Sequence, residues 1–251
     1  MPSPFMSNNW ETEFDSIVRS LAQERATHVS VETFQTEVDI YKSVTSTEAV
    51  DSTLEVGAGA GLFSAFLILS GFTERAVCLD PLVDGEGPSN EAVEIQSDLN
   101  KFDSLRNNFV QLNGWFPDDL PEDSFEMIIF RKALHHIYPN PPEDRSSVVS
   151  GLRSAKSNIE PGGRIYILET TVPPKWFQLV MNLYRRTKSQ SPLTWSHKRY
   201  PEQWTNCLKE AGYKNTWVET TPLNIAMGHQ LTKQASLAIS HRRLITGQKP
   251  S

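Results

Sequence analysis

The chain has 251 residues, of which 22% are charged and 38% hydrophobic, values typical of a soluble globular protein with one large domain. Its net charge of -6 disfavours nucleic acid and anionic membranes as partners, although it leaves room for a local basic patch. The two cysteines, Cys78 and Cys207, form no CxxC pair, which disfavours a disulfide framework or a zinc site, so we predict no metal.

The N-terminus and the apolar runs predict a cytoplasmic protein. Glu11, Glu13 and Asp15 stand where a secretory signal would carry basic and then apolar residues. The longest apolar run, Leu62 to Leu69, is too short to cross a bilayer. We therefore expect a cytoplasmic location and no membrane partner.

Two amphipathic helices are predicted before the first strand. Apolar side chains recur at helical spacing in two sets, Trp10, Phe14, Ile17, Val18 and Leu21, and then Phe34, Val38 and Tyr41. A break near residues 27–30 separates the two sets. We predict that residues 1–50 form a helical cap over a sheet.

A glycine-rich turn follows, within residues 53–63. An apolar run ends in three alternate glycines and then becomes helical, which predicts a buried strand, a tight turn and a helix N-terminus. Glycines suit this turn because a side chain would block a ligand from the backbone. Since helix-terminal N–H groups point into the space above the strand, the turn is typical of a nucleotide site.

From residue 51 onward, strand and helix patterns alternate as in a doubly wound α/β sheet. Further strands are predicted at 76–80, 109–112, 124–130, 164–169, 217–220 and 236–240. Helices are predicted at 91–106, 143–159 and 200–212, with a turn at residues 161–163 before the fifth strand. Residues 170–199 form an insertion rich in bulky side chains, and the tail after Leu244 carries no structural signal.

The glycine spacing distinguishes two kinds of nucleotide site. A dinucleotide fingerprint has its third glycine at position six, where this chain has Leu62, whereas Gly61 stands at position five. With Glu55 two residues before the first glycine, the run resembles motif I of the class I S-adenosylmethionine-dependent methyltransferases, Glu/Asp-x-Gly-x-Gly-x-Gly. Asp80, 19 residues beyond Gly61, resembles motif II of that family. The run Leu134-His135-His136 and the Pro-Gly-Gly turn also resemble its small-molecule members, so the resemblance covers about residues 55–240.

The resemblance implies a Rossmann-like sheet of seven strands, mostly parallel with an antiparallel last strand, and S-adenosylmethionine as cofactor, with S-adenosylhomocysteine as product. Glu55 would hold the methionine ammonium group, directly or through water, and the backbone of the glycine turn would pack against the methionyl and ribose portions. Asp80 would accept hydrogen bonds from both ribose hydroxyls. The expected cofactor-binding residues are Glu55, Gly57, Ala58, Gly59, Gly61, Asp80, Pro81, Trp115, Phe116, Phe130 and Arg131.

The adenine contacts depart from the family pattern. Related methyltransferases carry a Gly-Asp pair after the third strand, and its Asp bonds the adenine amino group, whereas this chain has Asn113-Gly114-Trp115-Phe116. A ring of Trp115 or Phe116 would stack on adenine, with Asp118 or Asp119 as the acceptor. Phe130 and Arg131 should lie near the sulfonium end, and Arg131 would bind a carboxylate of either ligand or pair with Glu126 or Asp123.

The base and the substrate contacts are predicted from the same resemblance. An oxygen or nitrogen acceptor needs a base, and the candidates are His136, His135, His197 and Glu169, with His136 and His135 ranked above His197. In related methyltransferases the double histidine often forms the site wall or a helix start, so a structural role for each is the alternative. In related methyltransferases the leading helices close over both ligands, so Tyr41 is a candidate lid contact. The other expected substrate-binding residues are Trp176, Phe177 and His197 in the insertion.

We therefore predict a single methyltransferase domain over residues 1–251, with a cap at 1–50, a core at 51–245 and a substrate lid at 170–199. The predicted reaction is methyl transfer to an oxygen, nitrogen or carbon atom of a small, hydrophobic or aromatic metabolite of secondary metabolism. The sequence does not determine the oligomeric state of the protein. One alternative is a cyclase or rearrangement catalyst that binds the cofactor without transferring methyl. A second, a nicotinamide-dependent oxidoreductase, is disfavoured by Leu62 in the fingerprint.

Overall fold

A computed structural model describes residues 10–24, 30–45, 48–81, 95, 97–140, 143–170, 179, 182–183, 185–187, 199–218 and 242–250. The chain divides into two compact units. The first comprises Met1–Leu120 and Phe125–Met127, and the second comprises Pro121–Ser124 and Ile128–Ser251. Within the described residues, no helix combines the length and the apolar character needed to cross a membrane.

The first unit begins with two helices and then alternates strands and helix. Its elements are α1 (Trp10–Glu24), α2 (Val31–Thr45), β1 (Val50–Val56), α3 (Leu62–Leu69), β2 (Thr73–Asp80) and β3 (Phe109–Asn113). Strand β2 pairs in parallel with β1 on one side and with β3 on the other. The register sets Val56 beside Leu79 and Leu79 beside Leu112, so the three strands end at one edge.

Aromatic side chains hold α1 and α2 against α3. The ring of Phe14 lies 6.5 Å from that of Phe34 and 6.1 Å from that of Phe66, centroid to centroid, and all three are at most 1% exposed. Every residue of α3 is buried because its sequence is almost entirely apolar. Tyr41 belongs to this cluster, with 1% exposure and its ring 6.2 Å from that of Phe63. The two predicted helices are confirmed, and Tyr41 has a packing position in them.

The second unit carries the remaining elements. They are the end of β4 (Phe125–Arg131), α4 (Leu134–Ile137), α5 (Arg145–Ser157), β5 (Ile159–Thr170), α6 (Pro201–Glu210), β6 (Lys214–Val218) and β7 (Arg242–Gln248). Strand β7 pairs antiparallel with both β5 and β6. The strands form one seven-stranded sheet in the order β3-β2-β1-β4-β5-β7-β6, which confirms the predicted fold class.

The position of the last strand corrects the sequence analysis. The predicted strand at 236–240 lies outside the described residues. The tail after Leu244, which was expected to carry no structural signal, forms most of β7, and this strand ends three residues past the predicted core boundary at 245. Ile245 and Thr246 are buried, and Thr246 Oγ1 donates to Ile165 O at 2.9 Å. A polar segment forms an interior strand here because neighbours on both sides satisfy its backbone groups.

The predicted helix at 91–106 is too long at its C-terminal end. Residues 97–99 are helical, but residues 100–108 form consecutive turns. Amide groups there bond three residues back, as from Lys101 to Asp98 and from Leu105 to Phe102. Asn, Asp and Ser are frequent in this stretch and favour turns over a continuous helix.

Candidate active site

The glycine turn between β1 and α3 is the centre of the candidate cofactor site in the first unit. Gly57, Gly59 and Gly61 all have positive φ, at 70°, 56° and 76°, which L residues with a side chain rarely adopt. Gly57 N donates to Leu79 O at 2.8 Å and Gly61 N to Ala58 O at 3.0 Å. The turn is thus closed by its own backbone and joined to the end of β2.

Gly61 and Gly59 differ in what surrounds them. A Cβ at Gly61 would lie 2.6 Å from Phe109 Cζ, so this glycine is required for close packing of α3 on the sheet. At Gly59, no heavy atom of a neighbouring described residue lies within 4 Å of the same point. The backbone is therefore open to a ligand at Gly59 and closed at Gly61.

Asp80 connects the end of β2 to this open glycine. Its Oδ2 accepts a hydrogen bond from Gly59 N at 2.8 Å. A carboxylate offers about four lone-pair sites, so the same group is able to accept further bonds from a diol. Pro81 follows and is half-buried. The two sequence signals that predicted the cofactor site, the glycine run and the acid 19 residues later, are in direct contact.

Glu55 lies beneath the turn and is 2% exposed. Its Oε2 accepts from Ser64 N at 3.1 Å and from Ser64 Oγ at 2.7 Å. Ser64 is in the first turn of α3, where backbone N–H groups lack helical partners, so a carboxylate is favoured there. Glu55 thus fixes the start of α3, a contact that the sequence analysis did not predict.

Cys78 is fully buried behind the same turn. Burial raises the pKa of its thiol well above the usual value, and the negative charges of Glu55 and Asp80 raise this pKa further. A side-chain hydrogen bond with Ser64 lowers the pKa but does not offset the rise. The thiol is therefore neutral and unsuited to nucleophilic or metal chemistry. Across the described residues, no group of three or more His, Cys, Asp or Glu side chains is placed to hold a metal ion.

The loop after β3 carries the predicted adenine contacts. Trp115 is 59% exposed, whereas Phe116 is buried. The carboxylate of Asp119 accepts from Trp115 N at 2.7 Å, and Asp119 N donates to Trp115 O at 2.8 Å. A Cβ at Gly114 would lie 2.5 Å from Asp119 Cβ, so the glycine permits this loop. Asp119 closes the loop, and Trp115 presents the exposed ring.

In the second unit, His135 and Glu169 form a close pair. His135 Nδ1 lies 2.7 Å from Glu169 Oε2, and His135 N donates to Glu169 Oε1 at 3.4 Å. The Glu169 side chain is completely buried and that of His135 is 13% exposed. Since a carboxylate only accepts hydrogen bonds, Nδ1 is the donor in this pair, and in a neutral imidazole the lone pair is then on Nε2. The sequence analysis named Glu169 only as a rival base, whereas it orients His135.

His136 is placed differently from His135. It is exposed, and its ring centroid lies 4.0 Å from that of His135. The two adjacent histidines therefore differ in environment: His135 contacts the buried carboxylate of Glu169, whereas His136 is exposed. Phe130, at the end of β4, is fully buried, and Arg131 beside it is half-buried.

Arg199 is a further buried charge in this unit, and the sequence analysis missed it. It is 3% exposed, donates from Nη1 to Tyr138 O at 3.0 Å and pairs through Nη2 with Asp144. Its guanidinium lies 4.8 Å from the centroid of the Trp204 ring. Burial lowers its pKa from the usual value. One available signal was its position directly before the Tyr-Pro start of α6.

The predicted substrate residues Trp176, Phe177 and His197 lie outside the described residues. Of the insertion, Leu179 and Leu183 are described, and they are 62% and 52% exposed. Their apolar side chains agree with a hydrophobic character of this segment. Its role in binding substrate stays a prediction.

The first unit suits S-adenosylmethionine at the point where the expected contacts meet. The space in front of Gly59 is where an added Cβ would meet no neighbour, so a ligand is able to reach the backbone there. Asp80 reaches the same glycine and has acceptor capacity for ribose hydroxyls. The residues present therefore fit the expected cofactor.

A family model described as "Methyltransferase domain" matches residues 32–218 of this chain, about three quarters of its length. No curated protein sequence gives a significant match.

Solved structures show the same fold at low identity. The S-adenosylmethionine-dependent methyltransferase SibL in its apo form is 18% identical with a TM-score of 0.57, over 86% of this chain and 55% of that one. An O-methyltransferase family protein from Burkholderia thailandensis is 14% identical with a TM-score of 0.56, over 95% and 58%. An O-methyltransferase family 2 protein from Planctomyces limnophilus in complex with apigenin is 17% identical with a TM-score of 0.56, over 99% and 64%. This chain thus spans between about half and two thirds of their lengths.

Proposed function

Because this chain belongs to the methyltransferase domain family, we propose that it transfers a methyl group from S-adenosylmethionine to an oxygen or nitrogen of a small aromatic or hydrophobic metabolite. The observation that carries the acceptor type is the contact of His135 Nδ1 with the buried carboxylate of Glu169. An oxygen or nitrogen acceptor loses a proton on methylation, whereas a carbon acceptor need not use a base.

The chain's main task in this reaction is alignment. When bound, S-adenosylmethionine supplies a methyl group on a sulfonium, and the leaving thioether is neutral. The open backbone at Gly59 and the carboxylate of Asp80 would hold the adenosyl portion, and exposed Trp115 would stack on adenine. Glu55 would support this arrangement from beneath by fixing Ser64 and the start of α3.

His135 completes the proposed mechanism as the base. Its Nε2 would take the acceptor proton and leave the oxygen or nitrogen lone pair available to the methyl carbon. That methyl group would come from S-adenosylmethionine by cleavage of the C–S bond, whose electron pair stays on the neutral thioether. The carboxylate of Glu169 stabilises the resulting imidazolium and keeps Nδ1 protonated, so the ring cannot present the wrong tautomer. The proton then leaves for solvent.

The experiment incubates the protein with S-adenosylmethionine and a panel of phenols and aromatic amines, and measures products heavier by one methyl group by mass spectrometry. Apigenin belongs in the panel because one structural neighbour is described in complex with it. We expect His135→Gln and Glu169→Gln to lower turnover by about 10²–10⁴-fold while S-adenosylhomocysteine binding persists. His136→Gln is the control for losing the contact between the two histidine rings, and its loss of turnover should be smaller than that of His135→Gln.

Two results would overturn parts of this proposal. Full turnover in His135→Gln would show that His135 is not the base, and would favour a carbon acceptor or another side chain as the base. A product of unchanged mass that forms only with cofactor present would favour the cyclase or rearrangement alternative.

A further inference from the structure

The turn that carries His135 is too short to hold its own shape. Helix α4 has four residues, Leu134–Ile137; the amides of His136 and Ile137 donate to Ala133 O, and the amide of Tyr138 just beyond the helix donates to Leu134 O. Isolated helices of fewer than about 12 residues are marginal in water, so one turn contributes almost nothing by itself. The position of His135 therefore depends on what fixes the two ends of α4.

The N-terminal end is fixed by β5. Lys132 N donates to Leu168 O at 2.7 Å, and the next strand residue, Glu169, holds His135. Lys132 has φ 58°, in the left-handed region that non-glycine residues rarely adopt. Such a conformation persists only where surrounding contacts impose it. The chain therefore enters α4 under strain and needs an anchor beyond it.

Arg199 provides an anchor at the C-terminal end. Its Nη1 donates to the carbonyl of Tyr138, the C-cap residue that follows α4, at 3.0 Å. Its Nη2 pairs with Asp144, whose other carboxylate oxygen accepts from Asn140 N at 3.0 Å. One planar guanidinium thus holds the end of the His135 turn and the residue before α5 in a fixed relation, which a lysine cannot do with a single ammonium.

A buried ion pair of this kind is a poor means of gaining stability. Removing both charges from water costs about as much as their attraction returns, and apolar replacements of such pairs are often neutral or stabilising. The forked guanidinium of Arg199 instead fixes the relative positions of the groups that it binds, and the ring of Trp204 in α6 packs against this guanidinium.

We propose that Arg199 is a positioning residue for His135, acting through the Tyr138 carbonyl and Asp144 to hold α4 so that His135 stays on Glu169. This inference rests on the proposed function, because the role of His135 as the base is part of that proposal. The contacts themselves are independent of the reaction.

The test compares Arg199→Gln and Arg199→Lys with Arg153→Gln. Arg153 is the control for losing a guanidinium bond to a backbone carbonyl of the same unit, because its Nη2 donates to Glu210 O at 3.2 Å from an exposed position. The first readout is nitrogen NMR of imidazole-labelled protein without any methyl donor, with the His135 signals assigned from His135→Gln. The second is hydrogen exchange of the Ile137 and Tyr138 amides.

In the wild type we expect one protonated and one bare nitrogen for His135. Arg199→Gln should lose this single-tautomer pattern and speed exchange of the two amides by at least about tenfold, as for loss of a hydrogen bond to a charged group. Arg199→Lys should give an intermediate result, and Arg153→Gln should leave both readouts unchanged. An unchanged His135 pattern in Arg199→Gln, or an equal change in Arg153→Gln, would overturn the proposal.

If Arg199→Gln does not fold, Asp144→Asn decides the question, because it keeps the size of the side chain and weakens one arm of the fork. It should shift the His135 signals in the same direction as Arg199→Lys, and unchanged signals would overturn the proposal. These readouts need no methyl transfer. Failure of the proposed function would appear instead as absent methylated product with an intact Arg199 effect.

Discussion

The contrast between Gly59 and Gly162 provides a controlled test of the cofactor site. Both glycines have positive φ, 56° and 82°, and at both an added Cβ would meet no neighbouring heavy atom within 4 Å. Gly59 lies in the turn after β1, whereas Gly162 lies within β5 of the other unit. Alanine at either position carries the same backbone penalty, so the two variants differ in what their methyl groups meet when ligand is present.

The magnitudes follow from this geometry. A non-glycine residue in the left-handed region costs about 1–2 kcal/mol, so both variants should lose about that much stability without ligand. At a concentration of about 100 times Kd, S-adenosylhomocysteine should stabilise the wild type by about 2.7 kcal/mol. A methyl group in space needed by the ligand costs about 1–3 kcal/mol. Since 1.4 kcal/mol is tenfold in Kd, a cost in this range should lower the ligand stabilisation of Gly59→Ala to between about 1.7 and about 0.3 kcal/mol.

The assay is urea unfolding of the wild type, Gly59→Ala and Gly162→Ala, with and without S-adenosylhomocysteine at one fixed concentration. The prediction is a similar loss for both variants without ligand and a ligand-dependent gain that Gly162→Ala retains in full. Equal ligand stabilisation in the two variants would show that the space in front of Gly59 is not the cofactor site.

Further predictions concern the contacts around the turn. Gly61→Ala should cost about 1–3 kcal/mol more than Gly162→Ala in urea unfolding, because its Cβ would overlap Phe109; an equal cost would contradict the packing role. Ser64→Ala should lower stability by about 1.5–3 kcal/mol because buried Glu55 loses a hydroxyl donor. The control is Ser70→Ala, which loses a hydrogen bond to Leu67 O and should lower stability by about 0.5–1.5 kcal/mol. Equal losses of stability in the two variants would contradict a hydrogen bond from Ser64 to a charged Glu55.

The glycine turn between β1 and α3 was predictable because its signals are local. Three alternate glycines after an apolar run dictate a strand, a turn and a helix start, and Gly57, Gly59 and Gly61 all have the positive φ that explains the residue type. The acid after the next strand was predictable for the same reason, since parallel strands bring their ends to one edge. The contact between Asp80 and Gly59 follows from the β1–β2 register.

The partners of buried charges were not predictable in this way. Glu55 meets Ser64 and Glu169 meets His135 only after helices and strands have packed, and neither pair has a characteristic spacing in sequence. Arg199 reads as one more cation among the six Lys and Arg of residues 170–199. Its partner Asp144 is 55 positions away, so only the fold distinguishes it from exposed neighbours.

Strand β7 was not predicted in the C-terminal tail for a related reason. Its sequence, Arg242 to Gln248, has two basic residues, a glycine and a glutamine, which together resemble a polar tail. Antiparallel pairing with β5 and β6 satisfies its backbone on both sides and buries Ile245 and Thr246. Tertiary pairing therefore outweighs the weak local preference.

The most direct test of the account is a calorimetric titration of S-adenosylhomocysteine into the wild type and into Asp80→Ala. The account predicts one site per chain in the wild type and no measurable binding in the variant, because both the ribose acceptor and the contact to Gly59 N are removed. Absence of binding to the wild type, or near-native affinity in Asp80→Ala, would contradict it.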